Sequence, residues 1–330
     1  MLGGGSWGTT FAQVLCDAGT AVTLYCRRPE LAEQIDVTHS SPRYLPGISL
    51  PPRLHATAEP NAALAGADVV VLAVPAQALR SNLTRWRDLI PPDALLISLI
   101  KGIELGTGDR MSQVIAEVTD AGPDRIAVVS GPNLAPEIAA RQYCASVVAC
   151  ADEAIASRLQ AACHTSYFRP YTNPDIVGCE LGGSVKNVIA LAVGIAAGMG
   201  FGDNTKAMLI TRGLAEIARL GEALGADRHT FAGLAGLGDL VVSCSSPLAR
   251  NRAFGEKLGQ GMPLAEVLAS TTQTVEGVQS SQSVRQLARA HGVEMPITEV
   301  IAGVMHDGLD IGEAALALAS RSAKPERYGH

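Results

Sequence analysis

The chain has 330 residues, enough for two domains, and a net charge of −6, so its overall field favours neither nucleic acid nor an anionic membrane surface. Hydrophobic residues make up 47% and charged residues 18%, which describes a globular chain with large cores and excludes a disordered one. Its seven cysteines lack CxxC spacing and its seven histidines form neither HxxxH nor HExxH, so it is read as a reduced, cytoplasmic protein with no metal site.

Gly3-Gly4-Gly5-Ser6-Trp7-Gly8 fits G-x-G-x-x-G, with Gly3, Gly5 and Gly8 in the three glycine slots. A helical pattern runs on to Asp17 and a strand follows over 21–26, the order of a dinucleotide-binding βαβ unit. In an ordinary Gly-rich turn the same residues would have no ligand. Arg27-Arg28 stand where an NAD site carries an acidic residue. Arginine there suits a ribose 2′-phosphate, the alternative being two solvated surface arginines. A helix over 30–39 leads into a Pro-rich loop over 41–55. Apolar runs at 68–74, 94–100, 126–130, 144–150 and 167–171 then read as strands buried on both faces. Turn and polar residues collect at their carboxyl ends, including Lys101 and Gly131, and that is the edge where open α/β sheets bind ligands, the alternative for Lys101 being a plain strand-terminating surface lysine.

From about Asp175 the strands stop. Helical stretches are expected over 180–199, 204–224, 229–236, 250–259, 263–269, 276–291, 297–306 and 311–318, with a polar, frayed tail over 320–330. The fold class is therefore an α/β Rossmann-type domain over 1–174 followed by an all-α domain over 175–330. From Leu181 to Gly202 the one formal charge is Lys186. It either snorkels from a core helix or acts as a catalytic or anion-binding lysine. The apolar run beside it, 188–199, is too short to span a membrane. Asp239 lies among apolar residues and is either a partner that orients a lysine or a helix N-cap.

The segments GGGSWGT, KGIE, SGPN, CELGGSVKNVIALAVG, GDNTKAMLITRGLAE, LAGLGDLVVSC, PLARNRAFG and VEGV, in this order, resemble the bacterial NAD(P)-dependent glycerol-3-phosphate dehydrogenase family. The resemblance implies interconversion of sn-glycerol 3-phosphate and dihydroxyacetone phosphate, in the supply of phospholipid synthesis. It makes Lys186 the proton acceptor, with Asp239 and Lys101 in the catalytic group. It assigns substrate contacts to Lys101, Gly131, Asn133, Lys186, Asp239, Arg250 and Asn251. The cofactor contacts it implies are Gly3, Gly5, Ser6, Trp7, Gly8, Arg27, Arg28, Tyr44, Lys101, Ala135, Arg250, Thr274 and Glu276. NADP(H) is the preferred cofactor and NAD(H) is admitted; the partner is a small phosphorylated triose, and a homodimer is left open.

Two departures stand out. The strand that should precede the glycine motif is reduced to Met1-Leu2, as a start codon placed too far downstream would leave it. Its loss is expected to expose neighbouring strands and loosen the phosphate turn. Ala249 replaces the family's usual Ser before Arg-Asn, removing one hydroxyl contact. The rival readings are another two-domain reductase of ketopantoate or 2-hydroxyacid type, and a non-catalytic NADP-binding protein.

Overall fold

The computed structural model describes residues 1–271 and 274–320, so the expected polar tail lies, from residue 321, outside the described residues. The first half alternates α1 (Ser6–Asp17), β1 (Val22–Tyr25), α2 (Pro29–Thr38), β2 (Ser40–Ser41), β3 (Leu45–Ser49), β4 (Leu54–Thr57), α3 (Pro60–Leu64), β5 (Val69–Leu72), α4 (Leu79–Trp86) and β6 (Leu95–Ser98). It continues through α5 (Met111–Thr119), β7 (Ile126–Ser130), α6 (Ala135–Ala139), β8 (Cys144–Cys150), α7 (Glu153–Cys163) and β9 (Phe168–Asn173). Strands β5, β6 and β7 are parallel, β8 runs antiparallel to β7, and β9 is parallel to β8. β4 pairs in parallel with β1, Leu54 opposite Val22. The Pro-rich stretch read as loop therefore holds a hairpin, β2–β3, and a sheet strand; β4 is four residues long and follows two prolines, too short for its alternation to register.

The shortened first strand does not open the sheet. Leu2 bridges Tyr25 on one side and Leu72 on the other, so two residues tie β4–β1 to β5–β9. The Leu2 N–H donates to Val71 O (2.7 Å), the Ala73 N–H to Leu2 O (2.9 Å) and the Tyr25 N–H to Met1 O (2.8 Å). Leu2, Leu24 and Leu72 are fully buried, against the exposure expected. Hydrogen bonding to both neighbours needs only one or two residues when side chains from both faces already cover the gap.

The second half comprises α8 (Ile176–Gly198), α9 (Asp203–Ala223), α10 (Asp239–Ser245), α11 (Arg250–Gly259), α12 (Leu264–Ala269), α13 (Glu276–Ala290), α14 (Pro296–His306) and α15 (Ile311–Ala319). The expected helix over 229–236 is instead a 3₁₀ turn, Arg228–Ala232, followed by a π turn, Leu234–Gly238, that runs directly into α10. Gly233, Gly236 and Gly238 weaken the α-helical alternative there.

Helix α8 is the axle. It is 23 residues long with a mean hydropathy of 1.5, enough to cross a membrane on those two grounds, yet 89% of the apolar window is buried inside the fold, as in a core helix. Its glycines let neighbours approach to backbone contact. A Cβ on Gly194 would stand 2.1 Å from Arg252 O, and one on Gly198 2.1 Å from Glu256 O. From the other side, a Cβ on Gly255 would meet Leu191 O at 2.3 Å and one on Gly259 Ile195 O at 2.1 Å. The two helices therefore pack through reciprocal Gly-x-x-x-Gly pairs, and Asn251 of α11 lies against Asn187 of α8. Asp175 caps the start of α8 by accepting the Gly178 N–H (2.8 Å). Cys179 of α8 and Ala235 of the π turn pack on Val128, Val147 and Ala149, so the helices seat on the sheet at β7 and β8.

Candidate active site

The π turn delivers Asp239 as the first residue of α10, 1% exposed, and its carboxylate caps nothing. Oδ1 lies 2.9 Å from Lys186 Nζ and Oδ2 lies 2.7 Å from Lys101 Nζ. Of the two readings of Asp239, the lysine partner is the one realised. Lys186 Nζ also donates to Ser243 Oγ (2.5 Å) and Lys101 Nζ to Gly131 O (2.8 Å). Three segments distant in sequence thus meet at one carboxylate: the end of β6, the middle of α8 and the start of α10. Lys186 does not snorkel; it is 9% exposed. Burial depresses the pKa of Lys101 to about 8, with Asp239 opposing and Lys186 adding to the fall.

Around this cluster lie two supports. Asn251 donates Nδ2–H to Asn187 Oδ1 (2.8 Å) and accepts the Gly277 N–H on Oδ1 (3.0 Å), joining α8, α11 and α13. Gly131 adopts φ +142, and a Cβ there would press Ser146 Cα at 3.2 Å, so a left-handed glycine turn ends β7. Asn133 donates Nδ2–H to Ser146 Oγ (3.1 Å), which leaves its Oδ1 buried and unpartnered.

The glycine turn has the geometry its motif calls for. Gly3 has φ +126 and a Cβ there would sit 2.5 Å from Ala73 O; a Cβ on Gly8 would sit 2.0 Å from Gly3 O. A Cβ on Gly5 would meet nothing within 4 Å. Gly5 is the N-cap of α1, with no side-chain cap and no acidic residue in the first turn, and Trp7 Nε1 is buried without a partner. Open space beside a helix N-terminus that carries no side-chain cap suits a pyrophosphate, so these residues fit a dinucleotide. Ser6 Oγ donates to Tyr44 O (3.2 Å), and Arg28 Nη2 to Tyr44 Oη (3.2 Å) with its Cζ 5.6 Å from the ring centroid. Arg27 beside it is exposed.

Further round the site, Ala135 opens α6 and its carbonyl accepts the Thr10 hydroxyl (3.3 Å). Arg250 donates to Thr274 O (2.7 Å), and α11 begins at Arg250 with Ala249 as an N-cap that offers no side-chain acceptor. Burial raises the Glu276 carboxyl, opposed by the Ala76 N–H and Arg250, and its Oε2 is buried without a partner. A Cβ on Gly102 would come within 3.7 Å of that oxygen, so Glu276 reaches the loop that carries Lys101.

Four participants were not singled out as site residues from the sequence. Ser243 lies four residues after Asp239, on the same face of one helix, and helical spacing could have found it. Asn187 directly follows Lys186. Arg43, whose Cζ is 5.9 Å from the Tyr44 ring centroid, and Ser146 carry no sequence signal of their own.

Residues 1–156 match the N-terminal domain of NAD-dependent glycerol-3-phosphate dehydrogenase, and residues 175–316 match its C-terminal domain. The chain belongs to the NAD-dependent glycerol-3-phosphate dehydrogenase family. It is 64% identical over 330 residues to a glycerol-3-phosphate dehydrogenase [NAD(P)+] of Thermobifida fusca, covering 100% of this chain and 98% of that one. It superposes on the crystal structure of glycerol-3-phosphate dehydrogenase from Coxiella burnetii with a TM-score of 0.93 at 37% identity, over 97% and 98% of the two chains. A ketopantoate reductase from Ralstonia eutropha shares the fold at a TM-score of 0.58 and 14% identity, over 96% of this chain and 100% of that one. The family is an oxidoreductase family, which sets aside the non-catalytic alternative, and the reductase of ketopantoate type is a relative in fold alone.

Proposed function

We propose that the chain interconverts sn-glycerol 3-phosphate and dihydroxyacetone phosphate in the cytoplasm, as a source of glycerol 3-phosphate for phospholipid synthesis. Residues 1–174 would hold the dinucleotide and residues 175–330 the substrate. The observation that carries the reading is the largely buried Lys101–Asp239–Lys186 cluster, two lysine amines on one carboxylate, with Asn251 at the start of α11 bonded to Asn187 next to Lys186.

In the oxidative direction Lys186 takes the proton of the C2 hydroxyl, and in the reductive direction it returns it. Asp239 fixes the direction of both amines. Ser243 is the second contact of Lys186 after Asp239, so its amine can turn toward substrate along one path. Lys101 places positive charge where the C2 oxygen becomes negative, in a site dry enough for that charge to matter. Arg250 and the first N–H groups of α11 would grip the substrate phosphate, with Asn251 offering its remaining N–H. Gly131 and Asn133 would line the triose, and Asn133 Oδ1 is an acceptor free for a substrate hydroxyl. Gly3, Gly5, Ser6, Trp7, Gly8, Ala135, Thr274 and Glu276 would hold the dinucleotide, which supplies or accepts the hydride when bound. Arg27, Arg28 and Tyr44 would take the adenosine end, with a preference for NADP(H).

The test is oxidation of NADPH with dihydroxyacetone phosphate and, in parallel, with ketopantoate. Turnover with the first and none with the second is expected; the reverse would overturn the reading.

A further inference from the structure

Lys101 must bring its amine within 2.7 Å of Asp239 and 2.8 Å of Gly131 O, so its backbone has to be held on both sides. On the β6 side the sheet does this: the Leu99 N–H donates to Leu72 O (2.9 Å). On the other side the chain has left the sheet, and a side chain takes over. Gln77, on the turn that follows β5, donates Nε2–H to Ile103 O (2.8 Å) and accepts the Leu105 N–H on Oε1 (2.9 Å). One primary amide thereby meets a carbonyl and an N–H two residues apart, as a neighbouring strand would. Among common side chains only an amide offers a donor and an acceptor with that spacing.

The base of this bracket is firm. Ala76 and Leu79, on either side of Gln77, are 1% and 0% exposed. The turn and the loop are in such close register that a Cβ on Gly102 would fall 2.4 Å from Ala76 Cβ. One turn further on, Arg80 grips Glu104 through Nε (2.9 Å) and Nη2 (2.9 Å), extending the same contact along the loop.

We infer that Gln77 is a positioning residue for the reaction: its side-chain amide acts as a surrogate strand that sets the Lys101 amine against Asp239 and Gly131. The inference rests on the proposed role of Lys101 and adds the group that aims it. A displacement of about 1 Å at a reacting centre can cost two orders of magnitude in rate, so a loosened Lys101 should be felt in turnover.

Three variants test it, each followed by kcat and KM for dihydroxyacetone phosphate, NADPH affinity by fluorescence, and thermal midpoint. Gln77→Leu keeps the size and removes both hydrogen bonds; kcat should fall about tenfold or more, with NADPH affinity within about twofold of the parent chain. Gln77→Glu keeps the acceptor and aims a carboxylate at the Ile103 carbonyl, so protonation restores the donor. The activity of Gln77→Glu relative to Gln77→Leu should therefore be higher at about pH 5.5 than at pH 8, a dependence that mere loss of packing would not produce. If Gln77→Leu fails to fold, the pH dependence of Gln77→Glu relative to the parent chain decides. Lys101→Ala separates the two readings. Full turnover in Lys101→Ala would overturn the role of Lys101 itself. Loss of turnover there, with kcat intact in Gln77→Leu or no pH-dependent recovery in Gln77→Glu, would overturn the inference about Gln77 alone.

Discussion

The two ends of the ligand site are built on opposite principles. At the α8 end, Lys186, Asp239 and Ser243 are all under 10% exposed, and helices pressed together through glycines hold them. At the end proposed for the adenosine, Arg27 and Arg43 are exposed, and Arg28 and Arg43 gather round one tyrosine ring at 5.6 Å and 5.9 Å. Among the described residues none of these three arginines has a carboxylate within ion-pair distance. The dry end has its charges already paired and oriented, so little reorganisation is left for the chemical step. The wet end holds unneutralised positive charge in a chain of net charge −6, as a local site for a dianion requires.

The sharpest break in this contrast is Lys186→Ala. It should lower turnover by about 10²- to 10⁴-fold, the range for a lost acid–base group, while NADPH affinity by fluorescence stays within about twofold. Comparable losses in both would mean that the two ends are not separable.

The dry half should also carry the pH sensitivity. Glu216 on α9 is 2% exposed and accepts the Ile297 N–H (2.7 Å) and Thr298 N–H (3.3 Å) at the start of α14. Burial raises its carboxyl to about 7, the two N–H groups opposing. A carboxyl whose folded pKa lies above its unfolded value is more protonated in the folded chain, so stability is highest below about 4.5 and falls as pH rises to about 7. The span corresponds to about 3 kcal/mol. Lys101 acts in a separate window: with a folded pKa of about 8 it costs stability as pH falls from about 10.5 to 8, and nothing further below that. Chemical denaturation of the parent chain between pH 5 and pH 7.5 should therefore show a decline that Glu216→Gln flattens. An unchanged slope in that variant would remove Glu216 as the source.

The wet end should answer to salt and to single charges instead. Arg43→Ala is expected to lower kcat/KM for NADPH about tenfold, as loss of one charge-assisted contact would, and to leave NADH within about twofold. Raising ionic strength should weaken NADPH in the parent chain and weaken it less in the variant. Equal losses with both cofactors would place Arg43 outside the 2′-phosphate site.

The contrast also explains what the sequence made legible. Lys186 and Asp239 are conspicuous because a charge in an apolar helix needs a partner, and the physics that makes them unusual makes them visible. The strands β5 to β9 follow from apolar runs for the same reason. What stayed hidden depends on shape. The π turn before Asp239 is written in three glycines that are compatible with several backbones. Strand β4 hides behind two prolines. Arg43, Gln77 and Ser146 are ordinary polar residues whose meaning comes from what the fold sets opposite them. The Met1-Leu2 remnant misled in the other direction: counted along the chain it is too short for a strand, but flanking strands on both sides make two residues sufficient.

Ala249 lies where the two regimes meet, and it supports the smallest prediction. It is 6% exposed, like the dry end, yet it is the N-cap of α11, whose first turn receives no side-chain cap. A serine there could do two different things. Its hydroxyl could accept an N–H of the first turn, which stabilises a helix by about 1 kcal/mol and competes with a substrate phosphate for the same donors. It could instead donate to that phosphate, which tightens substrate binding and leaves the empty protein's stability unchanged. The burial of Ala249 favours capping, because a hydroxyl shielded from water has to satisfy itself locally. Ala249→Ser should accordingly raise the thermal midpoint by a few degrees, with KM for dihydroxyacetone phosphate unchanged or slightly higher. A fall in KM with no gain in midpoint would mean that the hydroxyl turns outward, and that the start of α11 belongs with the wet end rather than the dry one.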